Sequence, residues 1–143
     1  MEYVIKPGIG FNEAAFGTAP ENIEALYGSP DEKDVDTDDD MRSEMWVYFD
    51  LKLTFFFEGD DIRRLVSVES GHPETKLFDK ALFRLKEKDL IALLKDHQAE
   101  MIETENEDWG ERRVSWDDMM MDFYFKDDKL ITVNWSIVAE DDD

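Results

Sequence analysis

The pattern that most constrains this chain is an alternation that occurs twice. Leu51, Leu53, Phe55 and Phe57 alternate with Lys52, Thr54, Phe56 and Glu58, and a period of two puts one set on each side of a β-strand. At an offset of 68 residues, without a gap, Phe55 and Phe57 fall on Phe123 and Phe125, Leu51 and Leu53 on Met119 and Met121, and Phe56 on Tyr124. The same offset pairs Ile23 with Ile91, Leu26 with Leu94, Asp50 with Asp118 and Asp60 with Asp128. Self-similarity at a fixed spacing is the signature of a duplicated supersecondary unit.

Each copy reads in the same order. In the first, residues 20–27 suit a short helix with Thr18 as N-cap and Ile23, Leu26 and Tyr27 on one side, stopped by Gly28-Ser29-Pro30. The acidic stretch 31–40, with a short strand near 33–35, leads into strands over 44–50, 51–58 and 62–70, and Glu58-Gly59-Asp60-Asp61 turns between the last two. In the second, Leu90, Leu93, Leu94 and His97 recur at three- and four-residue spacing within a helix over 85–97, before strands over 99–104, 112–117, 119–126 and 130–138. The predicted class is α+β: two tandem helix-plus-antiparallel-meander repeats, about 8–70 and 74–139, forming one continuous antiparallel sheet with helices on one face. Both lie in a single domain over 1–143, of which 140–143 is an acidic tail.

Composition narrows the partners. Thirty-seven Asp and Glu against 16 Lys and Arg give a formal net charge of -21, which repels phosphate backbones and argues against nucleic acid. Ten Phe, four Tyr and four Trp separate the chain from a disordered acidic tail. With no cysteine, disulfides, thiolate chemistry and Cys-ligated zinc are excluded. No signal-like start and no run of about 18 apolar residues is present, so the expectation is a cytoplasmic protein without a membrane span.

Strand faces follow from a tight turn at Asp50-Leu51, which sets Trp46 opposite Phe55 and Tyr48 opposite Leu53. Val114 and Trp116 then face Phe123 and Met121. The face away from the helices receives Met45, Val47, Phe49 and Phe56 around Lys52, and Met120 and Tyr124 near Arg113, Ser115 and Asp122. Large apolar residues on an uncovered face mark a binding surface. The predicted partner-binding set is therefore Met45, Val47, Phe49, Lys52, Phe56, Arg113, Met120 and Tyr124. Asp34, Asp36, Asp38, Asp39 and Asp40 join it as charges that steer a basic protein partner. A homodimer through the same face is the other use of such a patch.

Catalytic and metal patterns are absent. The run 34–40 has the alternating carboxylates of a calcium loop but neither its glycine nor its closing glutamate. His72 and His97 lack a second ligand at metal-helix spacing, and His97 reads as a helix C-terminal cap. Gly8-Ile9-Gly10 lacks the rest of a phosphate loop, and Ser67, Ser70 and Ser115 lack a nucleophile elbow. No catalytic residue, cofactor or metal is predicted, and an enzyme is disfavoured.

Gly28-Ser29-Pro30-Asp31, the preceding Phe16-Gly17 and the order helix, acidic connection, aromatic meander resemble the β-lactamase-inhibitory-protein-like fold. Related single units occur in small outer-membrane assembly lipoproteins. The resemblance implies a curved sheet whose aromatic open face, here bearing Phe49, Phe56 and Tyr124, grips another protein. The family's disulfides and the lipoproteins' acylated cysteine are missing here, and no inhibitory contact residue is matched. The expected function is a small acidic intracellular protein-binding module, an inhibitor or immunity protein. The alternative is a small-ligand carrier or enzyme with a pocket over the sheet, using Lys52, Arg113, Asp122 and Tyr124.

Overall fold

The computed structural model describes residues 2–38, 41–59, 62–100 and 102–137. The chain opens with three two-residue strands, β1 (Ile5–Lys6), β2 (Gly10–Phe11) and β3 (Ala14–Ala15), which form their own antiparallel sheet. Helix α1 (Pro20–Tyr27) precedes four consecutive strands, β4 (Glu32–Asp38), β5 (Met41–Tyr48), β6 (Leu53–Glu58) and β7 (Arg64–Ser70). A hairpin of β8 (Lys76–Leu77) and β9 (Lys80–Ala81), a 3-10 turn (Leu82–Arg84) and helix α2 (Glu87–Asp96) follow. The chain then runs through β10 (Ile102–Asn106), β11 (Arg112–Trp116), a 3-10 turn (Asp117–Met119), β12 (Met121–Lys126) and β13 (Lys129–Ser136).

The eight longer strands make one antiparallel sheet in the order β10-β11-β12-β13-β7-β6-β5-β4. Its pattern comes from alternation: β6 and β12 each bury every second side chain, Leu53, Phe55 and Phe57 in one and Met121, Phe123 and Phe125 in the other. The expected registers form, Trp46 opposite Phe55, Tyr48 opposite Leu53, Val114 opposite Phe123 and Trp116 opposite Met121. Ladder irregularities at Phe56/Phe57 and Tyr124/Phe125 re-aim the chain by one residue. The turn Asp127-Asp128 closes β12 to β13 with both residues at positive φ, a conformation aspartate tolerates better than most residues.

This architecture corrects the predicted class. The described residues are mostly β, and the two α-helices among them are only 8 and 10 residues long. The helical layer expected over two helix-plus-meander repeats is not what covers the sheet. Much of the cover is non-helical: Tyr3, Ile5, Phe11 and Ala14 from the N-terminal segment, then Leu77 and Leu82, all buried, join Ile23 of α1 and Leu90 and Leu94 of α2. The physical reason is size, because helices this short present one or two buried side chains each and cannot span eight strands. The small sheet is pinned where Trp135 Nε1 donates to the Gly10 carbonyl at 3.0 Å, and where Phe11 packs on the Trp135 ring. A side chain at Gly10 would collide with the Ala14 carbonyl oxygen.

Several local readings change too. Leu26 is 42% exposed rather than on the buried side of α1. Ala19, not Thr18, stands at that helix's N-cap; Thr18 Oγ1 instead accepts from Asn22 Nδ2 at 2.8 Å. The N-terminus of α2 is met by Asp128, whose Oδ1 accepts from the Glu87 backbone N–H at 3.2 Å. His97 ends α2 with its ring stacked on Phe78, the centroids 3.7 Å apart. The acidic stretch after α1 forms a full seven-residue edge strand, with Lys33 Nζ 4.5 Å above the Trp46 ring. The predicted tail at 140–143 and the turn residues Asp60 and Asp61 lie outside the described residues.

Candidate functional site

Register fixes which side chains share the uncovered face of the large sheet, because directly paired residues point the same way. In one row Glu32 stands beside Val47, then Thr54, Glu69, Asn134, Asp122, Ser115 and Glu103. A second row carries Asp34, Met45, Phe56, Ser67 and Ser136. Toward the β10 edge Tyr124 stands opposite Arg113, and Arg113 opposite Glu105.

Chemistry differs along this face. In the β10–β13 part the polar groups answer one another. Arg113 Nη2 lies 2.5 Å from Glu105 Oε2, and Nη1 lies 3.0 Å from Glu107 Oε1 as an ion pair without hydrogen-bond alignment. Burial alone would lower the Arg113 pKa; the carboxylates of Glu107, Glu105 and Asp122 outweigh it and raise the value. Ser115 Oγ donates to Asp122 Oδ1 at 2.6 Å. Burial, with Asp122 beside it, raises the Tyr124 pKa against the opposing charge and hydrogen bond of Arg113.

At the centre, Asn134 Nδ2 donates to Ser67 Oγ at 3.2 Å and Ser136 Oγ donates to the same oxygen at 2.9 Å. Glu69, next to Asn134, is half-buried and makes no side-chain hydrogen bond or ion pair among the described residues. Burial pushes its carboxyl above the usual carboxylate range. Beyond it, Met45, Val47 and Phe56 stand partly buried on the same face.

Of the predicted binding residues, Met45, Val47, Phe56, Arg113 and Tyr124 share this face, and Asp34 and Asp36 reach it from the edge strand β4. Phe49, Lys52 and Met120 do not belong to its strands. Phe49, 56% exposed, lies in the β5–β6 turn with its N–H donating to Asp31 Oδ2 at 2.7 Å. Lys52 ends that turn and Met120 ends the turn before β12, both at positive φ, which breaks the alternation that had placed them. Asp38 pairs with Met41 at the strand end, and Asp39 and Asp40 lie outside the described residues. Of the polar set considered for a pocket, Arg113, Asp122 and Tyr124 come together and Lys52 stands apart.

Two residues were not foreseen. Trp109, 62% exposed in the β10–β11 loop, brings its ring to 6.5 Å from that of Tyr124; a tryptophan among Asp and Glu beside Gly110 was the available signal. Glu69 owes its central position to the pairing of β7 with β13, which no local pattern reports. A surface depression of about 300 Å³ lies on the β10–β11 end of this face, lined by Glu103, Glu105, Arg113 and Ser115, and others of about 430 and 500 Å³ lie off it; Met45, Val47 and Phe56 line none of the three. Among the described residues no group of three or more His, Asp or Glu is arranged to hold a metal ion.

The fold and face define an open, mostly antiparallel β protein with one covered and one uncovered surface. No family model matches the chain, and no curated protein matches it. A solved structure is similar in fold: an extracellular protein containing a SCP domain from Bacillus anthracis str. Ames, at a TM-score of 0.52 and 16% identity. The likeness covers 94% of this chain and 49% of that one, so this chain spans about half the length of its neighbour. At that identity the comparison speaks to fold alone.

Proposed function

We propose that this protein is a binding module whose uncovered sheet face receives a basic protein. The observation that carries the reading is the coexistence, on one face, of partly exposed Met45, Val47 and Phe56 with the carboxylates of Glu32, Asp34 and Asp36 along the edge strand and of Glu69 near the middle. Covering apolar surface contributes roughly 25 cal/mol per Å², and the surrounding negative charge accelerates encounter with a cationic partner. An inhibitor or immunity protein, acting in the cytoplasm, is the kind of protein that uses such a surface.

The test is paired affinity capture from the source lysate with the wild type and a Met45→Asp/Phe56→Asp variant, after circular dichroism establishes that both fold alike. A basic protein retained by the wild type, released by salt and lost from the variant is the expected result. Equal capture by both proteins overturns the assignment of this face.

A further inference from the structure

One half-buried carboxylate on the open face has no hydrogen-bond or ion-pair partner among the described residues. Glu69 sits near the middle of the sheet, with three strands beyond β7 on one side and four on the other. Its neighbours in the row are Thr54 and Asn134. Asn134 spends its amide N–H on Ser67, and Asp122, one strand further, takes its hydrogen bond from Ser115. Arg113 lies three strands from Glu69, about 14 Å at normal strand spacing, and is already held by Glu105 and Glu107. Lys52, in the turn beside Gly71, makes no ion pair with Glu69. A half-buried carboxylate without a donor costs stability, since its lost hydration is not replaced. Phe56 is its diagonal neighbour across β6 and β7, within reach of a long side chain laid between them.

Resting on the open-face reading above, we infer that Glu69 is the anchor of this surface and takes an arginine of the basic partner, whose guanidinium pairs with the carboxylate and stacks on Phe56. Arginine fits better than lysine. Its planar fork can meet a carboxylate with two donors, its flat face stacks on an aromatic ring, and it is more weakly hydrated than an ammonium. The Asn134 side-chain carbonyl offers a further acceptor in the same row. The acidic strand β4 has a different part: its charges attract at a distance, while Glu69 makes the contact that fixes register.

The probe is N-acetylarginine amide, with N-acetylcitrulline amide as its neutral isostere, titrated into the full chain and followed by NMR at the glutamate carboxyl carbons and phenylalanine rings. Saturable shifts centred on Glu69 and Phe56 with the arginine compound, and none with the citrulline compound, are expected. Glu69→Gln should weaken binding at least tenfold while keeping the amide spectrum of the folded protein. Asp34→Asn/Asp36→Asn removes twice the charge and should stay within twofold of wild type. Unchanged binding by Glu69→Gln, or shifts scattered over all carboxylates in proportion to charge, overturns the anchor. Phe56→Ala separates the two readings: loss there with Glu69→Gln unaffected leaves the open face standing without this anchor, and no effect from either variant removes both.

Discussion

The two halves of the uncovered face share a register and differ in what they leave unsatisfied. On β11 to β13, Arg113, Asp122 and Ser115 already hold partners within the protein, and the Tyr124 ring lies near that of Trp109. On β5 to β7, Met45, Val47 and Phe56 are only partly buried, and Glu69 has no counter-charge among the described residues. A network satisfied internally gains little from a partner, because new contacts only replace old ones. Uncovered methionine and phenylalanine gain whatever area a partner removes from water. The difference teaches that, on the proposed binding reading, affinity would come from the β5–β7 half, with the β11–β13 half as its internally satisfied flank.

The comparison requires the halves to be equal underneath. Phe55, between Trp46 and Val68, and Phe123, between Val114 and Val133, are both fully buried. Phe55→Ala and Phe123→Ala should each cost about 3–5 kcal/mol, the range for truncating a core phenylalanine. Urea melts should put the two within about 1 kcal/mol of each other, the scatter that differing local relaxation introduces. A much larger gap would mean that the halves differ in core support as well, and the contrast on the open face would lose its meaning.

A smaller effect is a pH dependence centred on β5. The Tyr48 hydroxyl donates to the Gly28 carbonyl at 2.8 Å, and burial, reinforced by Glu24, Tyr27 and Asp31, pushes its pKa up to about 12. In the unfolded chain the phenol ionises near 10, so the unfolded state loses its proton first. The stabilisation from keeping Tyr48 neutral is complete below pH 10 and falls as pH rises toward 12. Denaturant melts from pH 9 to 12 should show this decline, and Tyr48→Phe should make it shallower, the remainder belonging to the partly buried hydroxyls of Tyr3, Tyr27 and Tyr124, while at pH 7 the variant loses roughly 1 kcal/mol with the hydrogen bond. An unchanged alkaline slope in the variant would show that Tyr48 is not the titrating group.

What the sequence made legible follows the same physical divide. Alternation in 53–58 and 121–126 is a local property, so both buried sets and the registers of β5 with β6 and β11 with β12 could be read directly. The covering layer could not. Two-residue strands such as Ile5–Lys6 and Gly10–Phe11 carry no periodicity, and their place depends on a distant contact with Trp135. Strand β4 was read only as a short stretch near 33–35 because Glu32–Asp38 has poor β propensity, yet charges suit an exposed edge that must resist pairing with other chains. Phe49 and Lys52 were misplaced by continuing the alternation through the turn that Tyr48 opposite Leu53 closes. Glu69 was invisible because its centrality comes from strand order rather than from its neighbours in the chain.

The smallest expected effect bears directly on the flank. Arg113 is paired with two carboxylates, yet its side chain keeps 31% exposure and Glu105 keeps 61%. Exposed ion pairs contribute about 0–1 kcal/mol. Arg113→Met should therefore destabilise by less than about 1 kcal/mol, chiefly by leaving the more enclosed Glu107 without its partner, and added salt should shrink the difference. Because the charge of Arg113 is already spent within the protein, the same variant should leave capture of a basic partner within about threefold, and removing a positive charge should shift it toward tighter binding. Capture weakened as strongly as by Met45→Asp/Phe56→Asp would make the β11–β13 half part of the contact, and the division between a gripping half and a supporting one would have to be abandoned.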